Sequence, residues 1–268
     1  MRTVLAIITA GIMMTAAPVY PHTGYSMGEV SVNIISDRGS VFLVVPHKDF
    51  WNKGTHVVKN YLEAKKGDNY GIVIRNRTTE RIGVVVAVDG RNIISGKQSD
   101  LRNTEDMYIV GSGEEARYDG WRTSQSTVNR FFFTDSEDSY ARKTFNDSSA
   151  MGVIAVAVYR EKNRPHPLSR MKMQNSPSAA PSKKSRAGIA SEAMRDESAG
   201  TGFGDEQYSP VTRVVFEPES LPVQKTLVKY EWRETLCRKG IIVCGQETSN
   251  RLWDEGEYAP YPPGYRNR

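Results

Sequence analysis

The chain contains few of the residues on which metal and thiol chemistry depend: of its 268 residues, two are cysteine and four are histidine. The histidines are scattered, and none forms a His-x-x-x-His pair or a zinc motif flanked by glutamate; they are His22, His47, His56 and His166. The sequence also lacks the Gly-x-Ser-x-Gly pattern of many serine hydrolases. These absences favour a protein without enzymatic activity but do not exclude an enzyme, and we expect it to need no cofactor or metal.

Long apolar runs are also scarce, and hydrophobic residues make up only 38% of the chain. Beyond the N-terminus, the most apolar runs are Ile82–Gly90 and Gly152–Tyr159. This composition predicts an ordered core combined with a sizeable polar portion. The net charge of +5 favours anionic partners, although a mildly basic balance more often serves solubility alone.

The N-terminus has the parts of a secretory signal peptide. A basic start precedes an apolar stretch at residues 3–14, and small residues suited to cleavage follow. We therefore assign residues 1–17 to a signal peptide, with cleavage after Ala16 as the alternative because Pro18 is awkward for a signal peptidase. The apolar stretch is too short to span a membrane. The prediction is an exported protein, periplasmic or extracellular, with no transmembrane span once the signal is removed.

The two cysteines, Cys237 and Cys244, lie close together in the sequence. In an exported protein such a pair is expected to form a small-loop disulfide. A loop this short contributes about 2–3 kcal/mol of stability at most. A redox-active dithiol and half of a metal site are the alternatives, but the spacing is not Cys-x-x-Cys and no histidine lies nearby.

Residues 26–162 have the pattern of an all-β domain. The β-branched run Ile82–Gly90 predicts a strand buried on both faces at the centre of a sheet, and Gly152–Tyr159 is its expected neighbour. Asp135–Phe145 is the clear helix candidate, with acidic residues in its first turn and basic residues in its last. Short strands separated by Gly- and Asp-rich turns predict an antiparallel β-sandwich with one short helix.

Two β-hairpins are predicted within this domain. Glu29–Ile35 alternates with a period of two, which is typical of a half-buried strand. A turn separates it from Val41–Val45, and we expect these two segments to pair. Tyr70–Asn76 is a further strand, and a turn leads from it directly into Ile82–Gly90. We expect that second pair of segments to form a hairpin as well.

The composition changes at the end of this domain. Residues 163–205 are rich in serine, alanine, proline, lysine and arginine, and predict a disordered basic linker. Its basic residues can attract an anionic polymer, but no aromatic residues are interleaved with them, so specific nucleic-acid binding is not indicated. Gly200–Gly204 lacks the Lys-Ser/Thr of a phosphate-binding loop. We interpret this glycine-rich stretch as a hinge.

Residues 206–247 predict a small C-terminal β-hairpin element. Its expected strands are Val214–Phe216 and Thr226–Trp232, the second of which alternates in hydrophobicity. An element of this size is marginal alone. We expect it either to dock on the sandwich, with the possibility of extending a sheet, or to depend on the disulfide. Residues 248–268 form a Pro/Tyr-rich tail.

Asp89, Asp119 and Trp121 are the candidate binding residues. Each of the two acids ends an apolar or aromatic segment, and a pair of carboxylates is what glycoside hydrolysis requires. Trp121 follows Asp119 closely and can stack on the apolar face of a sugar. A structural role remains the alternative for all three: each aspartate precedes a glycine, which is typical of a turn, and tryptophan equally suits a core.

Several segments resemble uncharacterised exported proteins of Gram-negative bacteria: Val86–Asn92, Tyr118–Arg122, Phe131–Phe133 and Met151–Tyr159, with Gly200–Gly204 in some of them. The resemblance covers the middle of the chain, implies a bacterial envelope or secreted setting, and carries no activity. We therefore expect an exported, non-enzymatic β-sandwich protein that acts in binding or assembly at the envelope or cell exterior. Its expected partner is an envelope protein or a polysaccharide. The alternative function is a carbohydrate-binding or carbohydrate-active domain similar to a glycoside hydrolase.

Overall fold

The structure is a computed structural model that describes residues 29–39, 41–162 and 198–244. The predicted signal peptide, most of the predicted linker and the Pro/Tyr-rich tail lie outside the described residues. The strands are β1 (Val30–Ser36), β2 (Val44–Asn52), β3 (Thr55–Ala64), β4 (Asn69–Asn76), β5 (Ile82–Val88), β6 (Arg91–Asn92), β7 (Tyr108–Val110), β8 (Glu115–Tyr118), β9 (Gly120–Arg122), β10 (Thr127–Asp135), β11 (Val153–Arg160), β12 (Ala199–Thr201), β13 (Glu206–Tyr208) and β14 (Gln224–Trp232). The α-helices are α1 (Tyr140–Phe145) and α2 (Arg233–Arg238).

The strands form two seven-stranded sheets around one shared core, which confirms the predicted β-sandwich. The first sheet has the order β1-β4-β10-β12, with β8 beside β4 and with β9 and β13 beside β10. The second has the order β2-β3-β14-β11-β5-β6, with β7 also beside β5. Among the described strands every pairing is antiparallel except that of β14 with β3, which is parallel.

The predicted central strand is confirmed in β5, whose seven residues are all buried. It pairs with β11, the expected neighbour, so that Val86 lies opposite Val156. Side chains on alternate sides of a strand face opposite sides of the sheet, and both sides of β5 are covered. The inner side faces the main core, and on the outer side Val85 packs with Tyr159 and Met107.

Neither predicted hairpin forms. The first pair of segments is joined only by an isolated bridge between Ile35 and Val41, and the second of these strands runs as Val44–Asn52 instead of ending at Val45. β1 pairs with β4, and β2 pairs with β3. β4 and β5 lie in different sheets because the turn between them crosses the sandwich. Asn76 at the end of β4 holds this crossing: its side-chain amide donates to the carbonyl oxygens of Glu80 and Gly111, and its oxygen accepts from the Thr78 amide. A side chain used in this way replaces the backbone bonds of a tight hairpin turn.

The predicted C-terminal hairpin is absent, but its second strand, Thr226–Trp232, is confirmed within β14, and this part of the chain joins the sandwich as one of the two expected alternatives. β14 is inserted between β3 and β11 in the middle of the second sheet, with Val228 and Tyr230 in the core. The segment Val214–Phe216 belongs to no strand. The last residues of the predicted linker are likewise part of the fold, because β12 pairs with β10. The chain that follows the undescribed residues 163–197 therefore completes both sheets.

The hinge interpretation of Gly200–Gly204 is wrong as well, since this stretch is packed against the sandwich. Gly200 lies opposite Thr134 of β10, and a side chain there would come within 2.7 Å of the Ser139 Cβ atom. A side chain at Gly202 would meet the ring of Phe132. These glycines permit close approach of two backbones, which is one of the uses of glycine in strands.

The predicted helix is confirmed in a divided form. A 3₁₀ turn at Ser136–Asp138 is followed by α1, and Ser139 caps α1 by accepting a hydrogen bond from the Arg142 amide. The predicted disulfide between Cys237 and Cys244 is present, with 5.5 Å between the Cα atoms. It closes the turn after α2. Within the described ranges, no helix is long and apolar enough to cross a membrane.

Candidate functional site

Asp89 stands in the turn directly after β5, with a positive φ of 48°, and Gly90 follows it with φ 78°. The turn interpretation of Asp89-Gly90 therefore describes the backbone correctly. The Asp89 side chain is completely buried. Its carboxylate accepts hydrogen bonds from the amides of Gly152 (2.8 Å) and Thr201 (2.7 Å) and from the hydroxyl of Tyr230 (2.5 Å). Each available donor thus comes from a different segment of the fold.

A chain of hydroxyl groups extends this carboxylate across the core. The Thr201 hydroxyl lies 2.7 Å from that of Tyr230, and the Tyr70 hydroxyl lies 2.7 Å from Thr201. Because Tyr230 donates to Asp89, the chain is satisfied when Thr201 donates to Tyr230 and Tyr70 donates to Thr201. Tyr70 belongs to the first sheet and Tyr230 to the second, so the chain connects the two sheets.

Burial is the main cause of the raised pKa values in this network. It raises the pKa of Asp89 to about 6, although the hydrogen bonds from Tyr230, Thr201 and Gly152 act in the opposite direction. Burial and the neighbouring Asp89 carboxylate also raise the pKa of Tyr70 and of Tyr230 well above the ordinary value. The network is sealed inside the sandwich and can contact no substrate. Its chemistry is that of a structural polar core.

Asp119 lies on the other side of the first sheet. Its Oδ1 accepts a hydrogen bond from Arg117 at 2.5 Å and stands where a side chain on Gly71 would point. Gly71 follows Tyr70 in β4, and successive residues of a strand face opposite sides of the sheet. Asp89 therefore lies inside the sandwich and Asp119 on its outer face. The structure does not bring these two acids together as a glycosidase pair.

Trp121 belongs to the core, with 2% of its surface exposed. Its ring packs against Phe131 and Tyr140. Its indole nitrogen donates to the carbonyl oxygen of Gly202 at 3.0 Å. Trp121 and Asp89 thus both hold the short segment 201–202, and neither presents a surface to a ligand.

A cleft of about 1220 Å³ lies beside β7, and we call it the β7 cleft. One wall is β7 with its flanking loops, and a second wall is the turn between β9 and β10. The irregular segment 210–218 forms the remaining side. The residues that line it are Arg81, Ile94, Asn103, Glu105, Asp106, Met107, Tyr108, Ile109, Gly111, Glu114, Arg122, Thr123, Ser124, Gln125, Pro210, Val211, Thr212, Arg213, Val214, Phe216 and Pro218.

The segment 209–218 is anchored at both of its ends. At one end the Val211 amide donates to the carbonyl oxygen of Gln125. At the other end Arg81 donates to the carbonyl oxygen of Val215, and the amide of Lys162 donates to that of Glu217. Between these anchors Val214 is 56% exposed. The segment 209–218 therefore forms a side of the cleft that is held at both ends by hydrogen bonds and is exposed to solvent in its middle.

Arg122 is one of the charged residues on the cleft wall. Its guanidinium donates to the hydroxyl of Tyr108 (2.6 Å), to the carbonyl oxygens of Ser124 (3.1 Å) and Ser209 (2.8 Å), and to the Ser209 hydroxyl. It also lies over the ring of Tyr108, which stacks on Tyr118. All of these partners are neutral. In the described part of the chain Arg122 has no carboxylate partner, whereas Arg81 is paired with Glu161.

Two carboxylates that line the cleft, those of Glu105 and Glu114, accept hydrogen bonds from backbone amides. Glu105 Oε1 accepts hydrogen bonds from the amides of Asp100 and Arg102, and Glu114 Oε2 accepts one from the amide of Gly111. These two acids therefore fix the loops on which they stand. No group of three or more His, Cys, Asp or Glu side chains within the described residues is placed to hold a metal ion.

Sequence reasoning did not identify the β7 cleft. Tyr108 and Arg122 come from separate short strands, and nothing in their spacing predicts that they meet. The sequence contained one signal, since Val214–Phe216 has the composition of a strand. In the structure this segment pairs with no described strand, and Val214 and Phe216 line the cleft. Comparisons with protein-family models, with curated proteins and with solved structures found no match.

Proposed function

We propose that the protein is an exported, non-enzymatic binding protein of the bacterial envelope or cell exterior, and that its partner occupies the β7 cleft. The observation that carries this proposal is the cleft itself, an opening of about 1220 Å³ along an edge of the second sheet. Its walls offer Arg122, which has no carboxylate partner among the residues that the structure describes, together with the apolar side chains of Met107 and Phe216. Binding sites commonly combine a few placed polar groups with apolar surface in this way.

The arrangement of ionisable groups favours binding over catalysis. A catalytic acid or base needs a pKa near the working pH and access to the substrate. Asp89 has a pKa raised to about 6, but it is sealed inside the core. In the cleft, Glu105 and Glu114 are engaged by backbone amides of their own loops.

The Cys237–Cys244 disulfide supports the exported setting, because disulfides persist mainly in oxidising compartments. The signal peptide predicted at residues 1–17 and the resemblance to exported Gram-negative proteins favour the same setting. N-terminal sequencing of the protein from a periplasmic or medium fraction tests this. We expect the mature chain to begin at Pro18, or at Ala17; a chain that retains Met1 in a cytoplasmic fraction would contradict export.

Photo-crosslinking tests the cleft as the binding surface. We place benzoylphenylalanine at Val214, which lines the cleft, and at Tyr208 as the control, because Tyr208 is 77% exposed and does not line it. The experiment is done in the organism that encodes the protein. We expect one discrete adduct from position 214, absent from position 208 and lost when Arg213→Glu is added. Equal adducts from both positions, or none from position 214, would overturn the proposal.

A second candidate function, carbohydrate binding, is favoured by Trp51. This side chain is 71% exposed near the tip of the β2–β3 hairpin, beside the partly exposed Phe50, and one face of its ring stacks on His56. Exposed aromatic rings can pack on the apolar faces of sugars. Titration with cell-wall polysaccharide, followed by tryptophan fluorescence, tests it. A response that Trp51→Ala abolishes supports this function, and the absence of any response excludes it for that polysaccharide.

A further inference from the structure

β7 is an edge strand of the second sheet beside the cleft. It pairs with β5, with Ile109 opposite Gly83, and no other described strand pairs with it. At its end, the carbonyl oxygen of Val110 accepts a hydrogen bond from the Asn76 side chain. The backbone on the open side of an edge strand offers donors and acceptors that another strand can use. The β7 cleft runs along Tyr108 and Ile109. A strand added to this sheet at β7 would lie in the cleft.

The opposite side of the cleft is also suited to an extended partner. The sequence Val211–Phe216 contains three valines, a threonine and a phenylalanine, all of which favour strands. The structure nevertheless gives this segment no strand pairing. Within the described chain, Thr212, Arg213 and Val214 make no hydrogen bond, and the anchors lie only at the two ends. A β-prone segment is thus held open beside an edge strand.

The size of the cleft fits an extended peptide better than a small molecule. Its volume of about 1220 Å³ exceeds the about 300–1,000 Å³ that is usual for small-molecule pockets. Neighbouring strands lie about 4.8 Å apart. A peptide strand added next to β7 would therefore lie about that distance from β7, inside the cleft. Addition of a peptide strand to a sheet edge is a common mode of recognition, in which backbone bonds give affinity and side-chain pockets give specificity.

The charges of the cleft indicate an acidic peptide. Among the described residues Arg122 has only neutral hydrogen-bond partners, and Arg213 makes no ion pair with any of them and is exposed. Of the three acids that line the cleft, Glu105 and Glu114 already accept bonds from their own loops, and Asp106 is the third. Carboxylates of a ligand therefore find two arginines that have no carboxylate partner among the described residues, and charge-assisted bonds to arginine are the stronger kind.

We infer that the β7 cleft binds an extended acidic peptide, which pairs with β7 at Tyr108 and Ile109 as an additional strand and places its carboxylates at Arg122 and Arg213. This inference rests on the proposed function and names the class of its partner. The peptide carries non-proline residues where it pairs, because proline has no amide hydrogen to donate. Its apolar side chains contact Met107 and Phe216.

Fluorescence anisotropy with three labelled nine-residue peptides tests the inference on the purified protein. The first alternates valine with aspartate, the second replaces each aspartate by lysine, and the third is the aspartate peptide with alternate backbone amides methylated. We expect the aspartate peptide to bind about tenfold or more tightly than the lysine peptide, as the loss of one charged contact of about 1.4 kcal/mol implies. We expect the methylated peptide not to bind, because it cannot pair with β7.

Charge-reversal variants locate the contact. Arg213→Glu should weaken the aspartate peptide by about tenfold and favour the lysine peptide. Its matched control is Arg38→Glu, because Arg38 is also exposed but lies in the turn after β1 and does not line the cleft. Arg122→Gln is the second variant, and circular dichroism checks that both are folded. An unchanged affinity in both cleft variants would overturn the inference.

The outcomes separate this inference from the proposed function. If the methylated peptide binds as well as the unmodified one, or if the two charged peptides bind equally, pairing of an acidic strand with β7 is wrong. If no peptide binds but position 214 still gives its crosslinked adduct, the cleft binds a partner of another kind and only the strand inference fails. If the crosslinked adduct is absent too, both fail.

Discussion

The hydroxyl of Tyr230 donates a hydrogen bond to the carboxylate of Asp89 at 2.5 Å. Tyr230 stands on β14 and Asp89 at the end of β5, and β11 lies between these two strands in the sheet. The bond therefore joins residues on either side of the undescribed segment 163–197 within one sealed polar network. The two parts of the chain form one core and not two domains.

Replacing Tyr230 with phenylalanine should destabilise the protein by about 1–3 kcal/mol, because it removes a donor from a buried carboxylate. It also interrupts the hydroxyl chain to Thr201. Urea unfolding followed by circular dichroism measures the change. Tyr208→Phe is the matched control, and since Tyr208 is 77% exposed we expect a change within about 0.5 kcal/mol. Equal unfolding midpoints for the two variants would show that the Tyr230 bond contributes nothing.

The raised pKa of Asp89 predicts a specific pH dependence. Its folded pKa of about 6 lies above the ordinary value of 3.8, so the folded protein holds this proton more tightly than the unfolded chain. The resulting stabilisation is complete below about pH 4 and is lost as the pH rises through about 6. A shift of this size corresponds to about 3 kcal/mol.

Asp89→Asn separates this contribution from those of other carboxylates, because it removes only the titration of Asp89. The free energy of unfolding of the natural protein minus that of the variant should fall by about 3 kcal/mol between about pH 4 and pH 7, and stay constant above that range. Urea unfolding at several pH values measures it. A difference that rises with pH would mean that the three hydrogen bonds lower the folded pKa of Asp89 below 3.8.

The position of β14 in the middle of the second sheet makes a strong prediction for the C-terminal part of the chain. Val228→Asp places a charge in the core, where Val228 is 3% exposed, and we expect loss of cooperative folding. Val215→Asp is the control, since Val215 is 82% exposed, and we expect a change within about 0.5 kcal/mol. Thermal melts of both variants decide the matter. A folded Val228→Asp variant would mean that β14 is not needed for the sandwich.

The disulfide is expected to contribute modestly. Cys237 and Cys244 close a loop with a sequence separation of 7, for which the loop-entropy estimate is about 2–3 kcal/mol. Thermal melts with and without a reductant should therefore differ by several degrees while the sandwich remains folded. The double variant Cys237→Ser with Cys244→Ser should melt like the reduced protein and ignore the reductant. Complete unfolding on reduction would contradict a local role.

Strands with a strong pattern of their own could be predicted from the sequence. β5 and β11 are continuous β-branched runs, and their pairing followed from their shared burial on both faces. The pairing of strands that are joined by a short turn could not be predicted in the same way. The turn after β4 is organised by Asn76, whose side chain bonds to residues distant in the sequence, and no local turn signal reveals that the chain crosses between sheets there.

The candidate site was less predictable than the fold. Asp89 stood out in the sequence because it ends the central strand, but its buried bonds come from Gly152, Thr201 and Tyr230, which lie at separations of 63 to 141 residues. Such contacts depend on the completed sandwich. The β7 cleft likewise arises where three distant segments meet. In the sequence, only the strand-like composition of Val214–Phe216 points to this region.

Hydrogen–deuterium exchange of the protein, with and without the valine/aspartate peptide, most directly tests the claim that an acidic strand pairs with β7. We predict that peptide binding slows exchange about tenfold or more in residues 108–110, with smaller protection in the segment 209–218 and none in β2, the strand at the opposite edge of the second sheet. Binding that leaves residues 108–110 unprotected, or that protects β2 instead, would contradict the claim.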